Sequence, residues 1–157
     1  MVKILFVCLG NICRSPLAQG IFEDKINRAN LGSYFFADSA GISGWHRGEK
    51  PDSGSIEIAR KKNIHIENQR SRPVVEGDKH EFDYFIAMDG SNYESLIREF
   101  GIPASKLFKL RRFDSLDQNG NVPDPYGGGS NSFLQVFEII DRSMDPFIEY
   151  LKEQQGL

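Results

Sequence analysis

The chain has 157 residues, of which 39% are hydrophobic and 26% charged, a size and composition typical of one globular domain with its own core. Its net charge of -3, with no basic run between aromatic residues, excludes broad attraction to nucleic acid, so an anionic ligand must be bound locally. The longest N-terminal apolar stretch, residues 4–9, is too short for a signal peptide or a membrane span. We therefore expect a single domain over residues 1–157, located in the cytoplasm, without a nucleic acid partner.

The apolar run Val2 to Cys8 predicts a buried strand, because it is continuous and of strand length. Ser15 and Pro16 then predict the start of a helix, with Ser15 as its N-cap and Pro16 at its first position. The helical pattern continues from Leu17 to about Arg28. The chain thus opens with a strand, a loop and a helix.

Similar patterns predict three further strands and three further helices. The strands are the short apolar runs at residues 34–38, 84–88 and 106–110. The helices are expected at residues 53–62, 91–100 and 132–154. A loop rich in glycine and serine, residues 39–53, and a long polar stretch, residues 111–130, lie between them, and long ordered loops tend to be functional.

Strands that alternate with helices predict an α/β fold. We expect a single-domain, three-layer arrangement, in which a twisted, parallel, four-stranded sheet carries helices on both faces. Ligands of such sheets bind beyond the carboxyl ends of the strands. The loop after the first strand lies at that edge.

This loop, residues 8–15, carries a thiol at Cys8 and a guanidinium at Arg14. It aims several backbone N–H groups, the helix dipole and one forked side chain at one point, which is how proteins bind phosphate. We therefore call it the phosphate loop. The same positive field favours the nucleophilic thiolate, so we predict that Cys8 performs covalent phosphoryl transfer rather than serving as a small buried hydrophobic residue.

Arg14 is predicted to bind two phosphate oxygens with its two-pronged guanidinium, while loop N–H groups surround the third. An arginine at a helix N-terminus is disfavoured by the dipole unless an anion is present, which argues against a mere surface charge. The other predicted ligand-binding residues of the loop are Leu9, Gly10, Asn11, Ile12, Cys13 and Ser15.

Three loop residues also have structural interpretations. Ser15 is either the helix N-cap or a donor to the Cys8 thiolate, and the two roles are compatible. Asn11 either adopts a left-handed conformation that the loop needs or contacts the substrate. Cys13 is either functional or a small buried hydrophobic residue, since two cysteines this close make neither a disulfide framework nor a zinc site.

The acid that protonates the leaving group is expected in the long polar stretch. Asp124 precedes Pro125, which stiffens the backbone, and glycines that let the loop approach the substrate. An aspartate before proline is also a common turn residue, so spacing alone leaves both roles open. Asp114 and Asp117 are the alternative acids.

Aromatic residues flank the predicted site. Trp45, His46 and Tyr126 form a mouth for a ring-bearing substrate, or Trp45 instead packs its own loop as a core plug. The three histidines lack metal-ligand spacing with one another and with the cysteines. We expect no metal and no other cofactor.

Together these residues resemble the low-molecular-weight protein tyrosine phosphatase family, and the resemblance runs through essentially the whole chain. It is carried by residues 7–16 (VCLGNICRSP), 38–41 (DSAG), 87–89 (AMD) with Asn92, and 124–126 (DPY). The first segment is highly specific, and its combination with the late Asp-Pro-Tyr indicates that Asp124 is the general acid.

The resemblance implies a metal-independent enzyme that dephosphorylates phosphotyrosine in proteins. Cys8 attacks phosphorus in line, Asp124 protonates the phenolic oxygen, and a cysteinyl-phosphate forms. Asp124 then activates water as a base, while Arg14 and the loop amides hold the phosphoryl group. Cys13 matches the family's second cysteine, which forms a disulfide with the nucleophile under oxidation, so reversible redox regulation is expected.

The resemblance also assigns supporting positions. Ser39 and Asn11 match residues that brace the phosphate loop, and Asp89 with Asn92 matches a region near it. In one departure from the family, Gln69 stands where members often carry a histidine that supports the loop asparagine.

Trp45 and Tyr126 match the walls of the family's substrate cleft. In a second departure, Tyr126 is followed by Gly127, so regulation at a tandem tyrosine site is not expected. We expect a monomer, or weak self-association through exposed aromatic residues near the cleft.

Four alternatives are related to this interpretation. Arginine phosphatases of the same fold carry threonine where this chain has Ile12, and arsenate reductases relay electrons through further cysteines, which this chain lacks after Cys13. A phosphate-dependent binding module without turnover and a redox switch of Cys8 with Cys13 are the alternatives outside these enzyme classes.

Overall fold

The computed structural model describes residues 1–157 as four strands and five α-helices. The strands are β1 (Val2–Cys8), β2 (Phe35–Gly41), β3 (Tyr84–Ala87) and β4 (Leu107–Lys109). The helices are α1 (Arg14–Arg28), α2 (Ser53–Lys61), α3 (Asp78–Glu81), α4 (Gly90–Phe100) and α5 (Ser130–Gln155). Short 3₁₀ turns at Ala104–Lys106 and Leu110–Phe113 flank β4.

The four strands form one parallel sheet in the order β2-β1-β3-β4. Cys8 at the end of β1 pairs with Gly41 at the end of β2, and Val7 pairs with Ala87 at the end of β3. The carboxyl ends of the three strands therefore meet at one edge. The predicted parallel, four-stranded α/β fold is confirmed.

Both faces of the sheet are covered, as the continuous apolar sequence of β1 requires. Alternate residues of β1 point to opposite faces: Ile4 and Phe6 join the core formed with α1, α2 and α5, whereas Leu5 and Val7 join the core formed with α4. No helix combines the length and apolar character needed to cross a bilayer.

The start of α1 differs from the prediction. The helix begins at Arg14 rather than Pro16, with Cys13 as the N-cap and no side-chain cap. Pro16 fits the third position, because first-turn N–H groups have no partner within the helix. The prediction of Ser15 as N-cap was therefore wrong, and its hydroxyl is left for another partner.

Two further differences concern short-range patterns. β2 continues to Gly41, three residues beyond the predicted end, because Ser39 to Gly41 pair with Phe6 to Cys8 of β1. The four-residue helix α3 was not predicted, since one helical turn is too short to show a hydrophobic period.

Candidate active site

The phosphate loop lies at the carboxyl edge of the sheet, between β1 and α1. It packs closely on the end of β2: a Cβ atom on Gly41 would lie 2.9 Å from the carbonyl oxygens of both Leu9 and Ser43. Real Cβ atoms do not approach backbone that closely, so this position requires glycine.

Surrounding segments bind the carbonyl groups of the phosphate loop. The carbonyl oxygens of Cys8, Leu9, Gly10, Ile12 and Cys13 accept hydrogen bonds from Ile42 N (2.9 Å), Ser43 N (2.9 Å), Ser71 Oγ (3.0 Å), Asp52 N (2.7 Å) and Ser55 Oγ (3.1 Å), respectively. The backbone N–H groups of residues 9–13, in contrast, have no acceptor within the protein. These donors are therefore free to bind an anion.

Cys8 is 2% exposed, and its Sγ lies 3.1 Å from Ser15 Oγ. Ser15 Oγ accepts a hydrogen bond of 2.7 Å from Asn11 Nδ2, so its own hydrogen is available to the sulfur. A thiolate only accepts hydrogen bonds, and Ser15 is therefore placed to donate to it.

Asn11 has a φ of 55°, as the left-handed alternative anticipated. Its side chain is fully engaged: Nδ2 donates to Ser15 Oγ and to Ser39 Oγ (3.0 Å), and Oδ1 accepts from Arg72 N at 3.0 Å. Asn11 thus shapes the loop with its side chain and leaves its backbone N–H for a ligand.

Arg14 is only 3% exposed and is held by acceptors from distant segments. Its Nη1 donates to Asp89 Oδ2 at 2.7 Å and to Val122 O at 3.1 Å, and its Nη2 lies 3.8 Å from Asp124 Oδ2. Burial alone would lower the pKa of Arg14, but Cys8 and the two carboxylates raise it overall. The guanidinium therefore stays charged.

Asp89 and Asn92 lie beside the loop at the start of α4. Asp89 is the N-cap of α4, because its Oδ1 accepts from Asn92 N at 2.8 Å, while its Oδ2 binds Arg14. Asn92 is buried, and its Oδ1 has no hydrogen-bond partner. Asn92 thus reaches Arg14 only through Asp89.

The position of Asp124 is compatible with both roles considered for it. Its Oδ1 accepts from Tyr126 N at 3.0 Å, as in a turn, and the residue also lines the cleft beside Cys8. Its side chain is 48% exposed, so the carboxyl group is in contact with water. Asp114 is fully buried and Asp117 is remote, and neither lines the cleft.

The cleft has a volume of about 440 Å³, within the range of small-ligand sites. Nine of its lining residues were predicted as site residues: Cys8, Leu9, Gly10, Ile12, Cys13, Arg14, Trp45, Asp124 and Tyr126. The other two are Ser43, which no sequence pattern indicated, and His46, which was predicted only as part of the aromatic mouth.

The aromatic residues form the mouth of the cleft. Trp45 is 86% exposed, so its interpretation as a core plug was wrong. His46 packs on the phosphate loop, with its Cδ2 3.0 Å from where a Cβ on Gly10 would lie, and its ring centre is 6.1 Å from that of Tyr126. Glu49 Oε2 fixes this imidazole through Nδ1 at 2.8 Å.

Gln69 does not replace the family's histidine. Its Nε2 donates to Pro16 O at 3.1 Å, and its Oε1 is buried without a partner. The loop asparagine, Asn11, is bound instead by the backbone N–H of Arg72, a residue that the sequence did not single out. A backbone N–H does not depend on the identity of the side chain, so the residue type at position 72 could not indicate this contact.

Cys13 lines the cleft beside Cys8, and both thiols are free and buried. Burial, with the negative charges of Asp52 and Cys8, raises the pKa of Cys13 far above its usual range. Cys13 is therefore protonated in the reduced protein. No group of three or more His, Cys, Asp or Glu side chains is arranged to hold a metal ion.

This cleft brings a buried thiol, a buried guanidinium and unpaired backbone N–H groups together on one loop. The family model described as "Low molecular weight phosphotyrosine protein phosphatase" matches residues 3–156, and the chain belongs to this family.

Individual relatives and solved structures are similar to this chain over nearly its whole length. The chain is 39% identical over 159 aligned residues to Low molecular weight protein-tyrosine-phosphatase YfkJ of Bacillus subtilis, with 100% of both chains covered. The crystal structure of a protein tyrosine phosphatase from Entamoeba histolytica superposes with a TM-score of 0.92 at 36% identity, covering 99% of each chain. A Drosophila arginine phosphatase superposes with a TM-score of 0.89 at 29% identity, covering 96% of this chain and 98% of the other.

Proposed function

We propose that this protein hydrolyses phosphotyrosine in proteins through a cysteinyl-phosphate on Cys8, without a metal ion. One observation carries the proposal: the unpaired N–H groups of residues 9–13 belong to the same loop as the Cys8 thiol and the buried Arg14 guanidinium. This loop can bind three phosphoryl oxygens while a nucleophile faces phosphorus.

In the first step the Cys8 thiolate attacks phosphorus, and the bond from phosphorus to the phenolic oxygen breaks. Asp124 gives its proton to that oxygen, so tyrosine leaves as a neutral phenol. Arg14 and the loop N–H groups bind the three equatorial oxygens, whose negative charge grows in the transition state.

In the second step Asp124, now a carboxylate, takes a proton from water, and the water oxygen attacks phosphorus. The bond to sulfur breaks, and Cys8 leaves as a thiolate that accepts a hydrogen bond from Ser15. Inorganic phosphate then leaves the loop, and both groups regain their starting protonation states.

The depth of the cleft supports an aryl substrate. Cys8 lies at its base at 2% exposure, whereas Trp45 and Tyr126 at its mouth are 86% and 61% exposed. We expect a phosphotyrosine side chain to place its phosphoryl group near Cys8 and its ring between the aromatic walls. Phosphoserine has a shorter side chain, so we expect it to be a poorer substrate.

The test is hydrolysis of matched peptides that carry phosphotyrosine, phosphoserine or phosphoarginine, in EDTA and reductant. We expect turnover of phosphotyrosine by the wild type and none by Cys8→Ser. A preference for phosphoarginine would replace the substrate assignment with the activity of the arginine phosphatases. Binding of phosphate without any turnover would establish a binding module instead.

Reversible oxidation is part of the proposal. Peroxide converts the Cys8 thiolate to a sulfenic acid, and the Cys13 sulfur then attacks that sulfur, displacing water and forming a disulfide. This cycle needs a reducing compartment, so we propose a cytoplasmic location. Intact mass after peroxide treatment should show the loss of two hydrogens, reversed by dithiothreitol, whereas Cys13→Ser should accumulate oxygen on Cys8.

We propose that the protein acts as a monomer, or self-associates weakly. The exposed side chains of Leu9, Trp45 and Tyr126 surround the cleft, where contact with a substrate protein and contact with a second copy exclude each other. Sedimentation with and without a bound phosphate analogue tests this, because the analogue should reduce any association.

A further inference from the structure

Arg72 joins two carboxylates outside the reaction cleft. Its Nε and Nη2 donate to Asp38 Oδ2 at 3.2 and 3.0 Å, and its Nη1 and Nη2 donate to the two oxygens of Asp78 at 3.0 and 3.1 Å. Four donated hydrogen bonds to charged acceptors fix this side chain. None of the three residues lines the cleft.

Each carboxylate also binds the backbone next to it. Asp38 Oδ1 accepts from Ser39 N at 2.8 Å, and Asp78 Oδ2 accepts from Val75 N at 2.8 Å. Asp38 belongs to β2, and Asp78 is buried at the start of α3. The Arg72 side chain is thus anchored to strand β2 through Asp38 and to helix α3 through Asp78.

The backbone of Arg72 reaches the phosphate loop. Its N–H donates to Asn11 Oδ1 at 3.0 Å, and its carbonyl accepts from Gly41 N at 2.8 Å. The nitrogen of the same Asn11 side-chain amide, Nδ2, donates to Ser39 Oγ at 3.0 Å. The ion pair between Asp38 and Arg72 therefore fixes the spacing of the two groups that bind Asn11.

Asn11 connects these contacts to the sulfur of Cys8 through Ser15. Its left-handed backbone places the side chain where three hydrogen bonds hold it. Its Nδ2 donates to Ser15 Oγ, which lies next to Cys8 Sγ. If Asn11 shifted, the Ser15 hydroxyl would lose this hydrogen bond and would no longer be held in place to point at the sulfur.

We propose that Arg72 is a positioning residue for the nucleophile. Its ion pairs with Asp38 and Asp78 hold Asn11 in place, so that the Ser15 hydroxyl stays directed at Cys8. This inference rests on the proposed role of Cys8 and adds the contacts that orient the Cys8 thiol. A connected set of polar groups, from Asp38 and Arg72 through Asn11 and Ser15, sets the reactivity of the thiol.

The test compares Arg72→Met with Lys25→Met. Arg72→Met removes the ion pairs but keeps the backbone N–H. Lys25 is a matched control, because its Nζ also joins two carboxylates, Asp141 at 3.1 Å and Asp145 at 2.9 Å, between α1 and α5. Both variants lose a bridging cation, but only one loses a connection to the phosphate loop.

Two quantities are measured for each variant: the pH midpoint of Cys8 alkylation by iodoacetate, and kcat with KM for an aryl phosphate. For Arg72→Met we expect a midpoint at higher pH and a kcat lower by about tenfold to a hundredfold, because small displacements of positioned groups have effects of that size. KM should change far less. Lys25→Met should match the wild type in both quantities.

A wild-type midpoint and kcat in Arg72→Met would overturn the inference, as would equal losses in both variants. If Arg72→Met does not fold, Asp38→Asn takes its place, since it keeps an oxygen for Ser39 N and removes the charge that binds Arg72. Alkylation reports on the thiol without turnover. An inactive wild type with a low midpoint that rises in Arg72→Met would therefore contradict the proposed function and still support the positioning role.

Discussion

At the scale of single residues, two carboxylates beside Arg14 have different environments and different roles. Asp89 binds the guanidinium directly at 2.7 Å and caps a helix with its other oxygen. Asp124 lies 3.8 Å from the guanidinium and is half exposed. Asp89 is therefore held between Arg14 and the helix N-terminus, whereas Asp124 faces water, as the proposed acid must.

Replacing Asp124 by alanine tests this division of roles. For Asp124→Ala we expect kcat to fall by about a hundredfold to a thousandfold on phenyl phosphate. The loss should be smaller on nitrophenyl phosphate, whose leaving group needs little protonation. A kcat series over phenols of different acidity measures the difference, and a uniform loss would contradict the role as acid.

Gly41 tests the close contact between β2 and the phosphate loop. In Gly41→Ala the added Cβ meets two carbonyl oxygens at 2.9 Å, so the loop must shift. We expect a loss of about 1–3 kcal/mol of unfolding free energy, as for other overpacked sites, together with lower kcat. Urea unfolding and turnover measure both. Gly77→Ala is the control, because no atom lies within 4 Å of its added Cβ, and it should keep full activity.

At the scale of elements, Asp114 joins the 3₁₀ turn after β4 to helix α5. Its carboxylate accepts hydrogen bonds from Arg142 Nε at 2.8 Å, from Arg111 Nε at 3.0 Å and from Leu116 N at 3.0 Å. Hydrogen bonding by Arg142 outweighs the opposing effect of burial and lowers the pKa of Asp114 to about 2. This carboxylate holds together elements that come late in the chain.

A lowered folded-state pKa gives a definite pH dependence. The stabilisation by Asp114 is complete above its unfolded pKa of 3.8 and is lost as the pH falls toward about 2, an effect of about 2 kcal/mol. Asp114→Asn should lower the unfolding free energy at pH 7 and show a smaller further loss in acid than the wild type. Urea titrations at pH 7, 5 and 3 measure this, and Asp117→Asn, at an exposed carboxylate, should leave the acid dependence unchanged.

At the scale of the whole molecule, local patterns predicted the fold and the anion-binding loop, and the family resemblance added Asp124 as the candidate acid. The strand, loop and helix at the N-terminus and the Asp-Pro turn lie within short windows, so their residue types are informative. The contacts that position them are not local: Arg14 meets Asp89 at a separation of 75 residues, and Asn11 meets Arg72 at 61. No short stretch of sequence contains both partners of either contact. Of the two roles predicted for Ser15, the N-cap was wrong, whereas the contact with Cys8 is present at 3.1 Å.

Binding of an anion should stabilise the whole domain, because the phosphate loop contacts every layer around the sheet edge. A ligand at one hundred times its Kd adds about 2.7 kcal/mol to the unfolding free energy. Vanadate or phosphate should therefore raise the Tm of the wild type in proportion to the logarithm of its concentration. Cys8→Ser should keep a shift with phosphate, and Arg14→Ala should lose it. An equal shift in Arg14→Ala would place the anion elsewhere.

The long-range contacts of Arg14 have a consequence for synthesis of the chain. Cys8 and Arg14 are synthesised before the acceptors that hold the guanidinium, Asp89 and Val122, and before the proposed acid, Asp124. Parallel sheets with such distant contacts form slowly and as a unit. The nascent chain therefore carries the Cys8 thiol before the contacts that hold Arg14 can form.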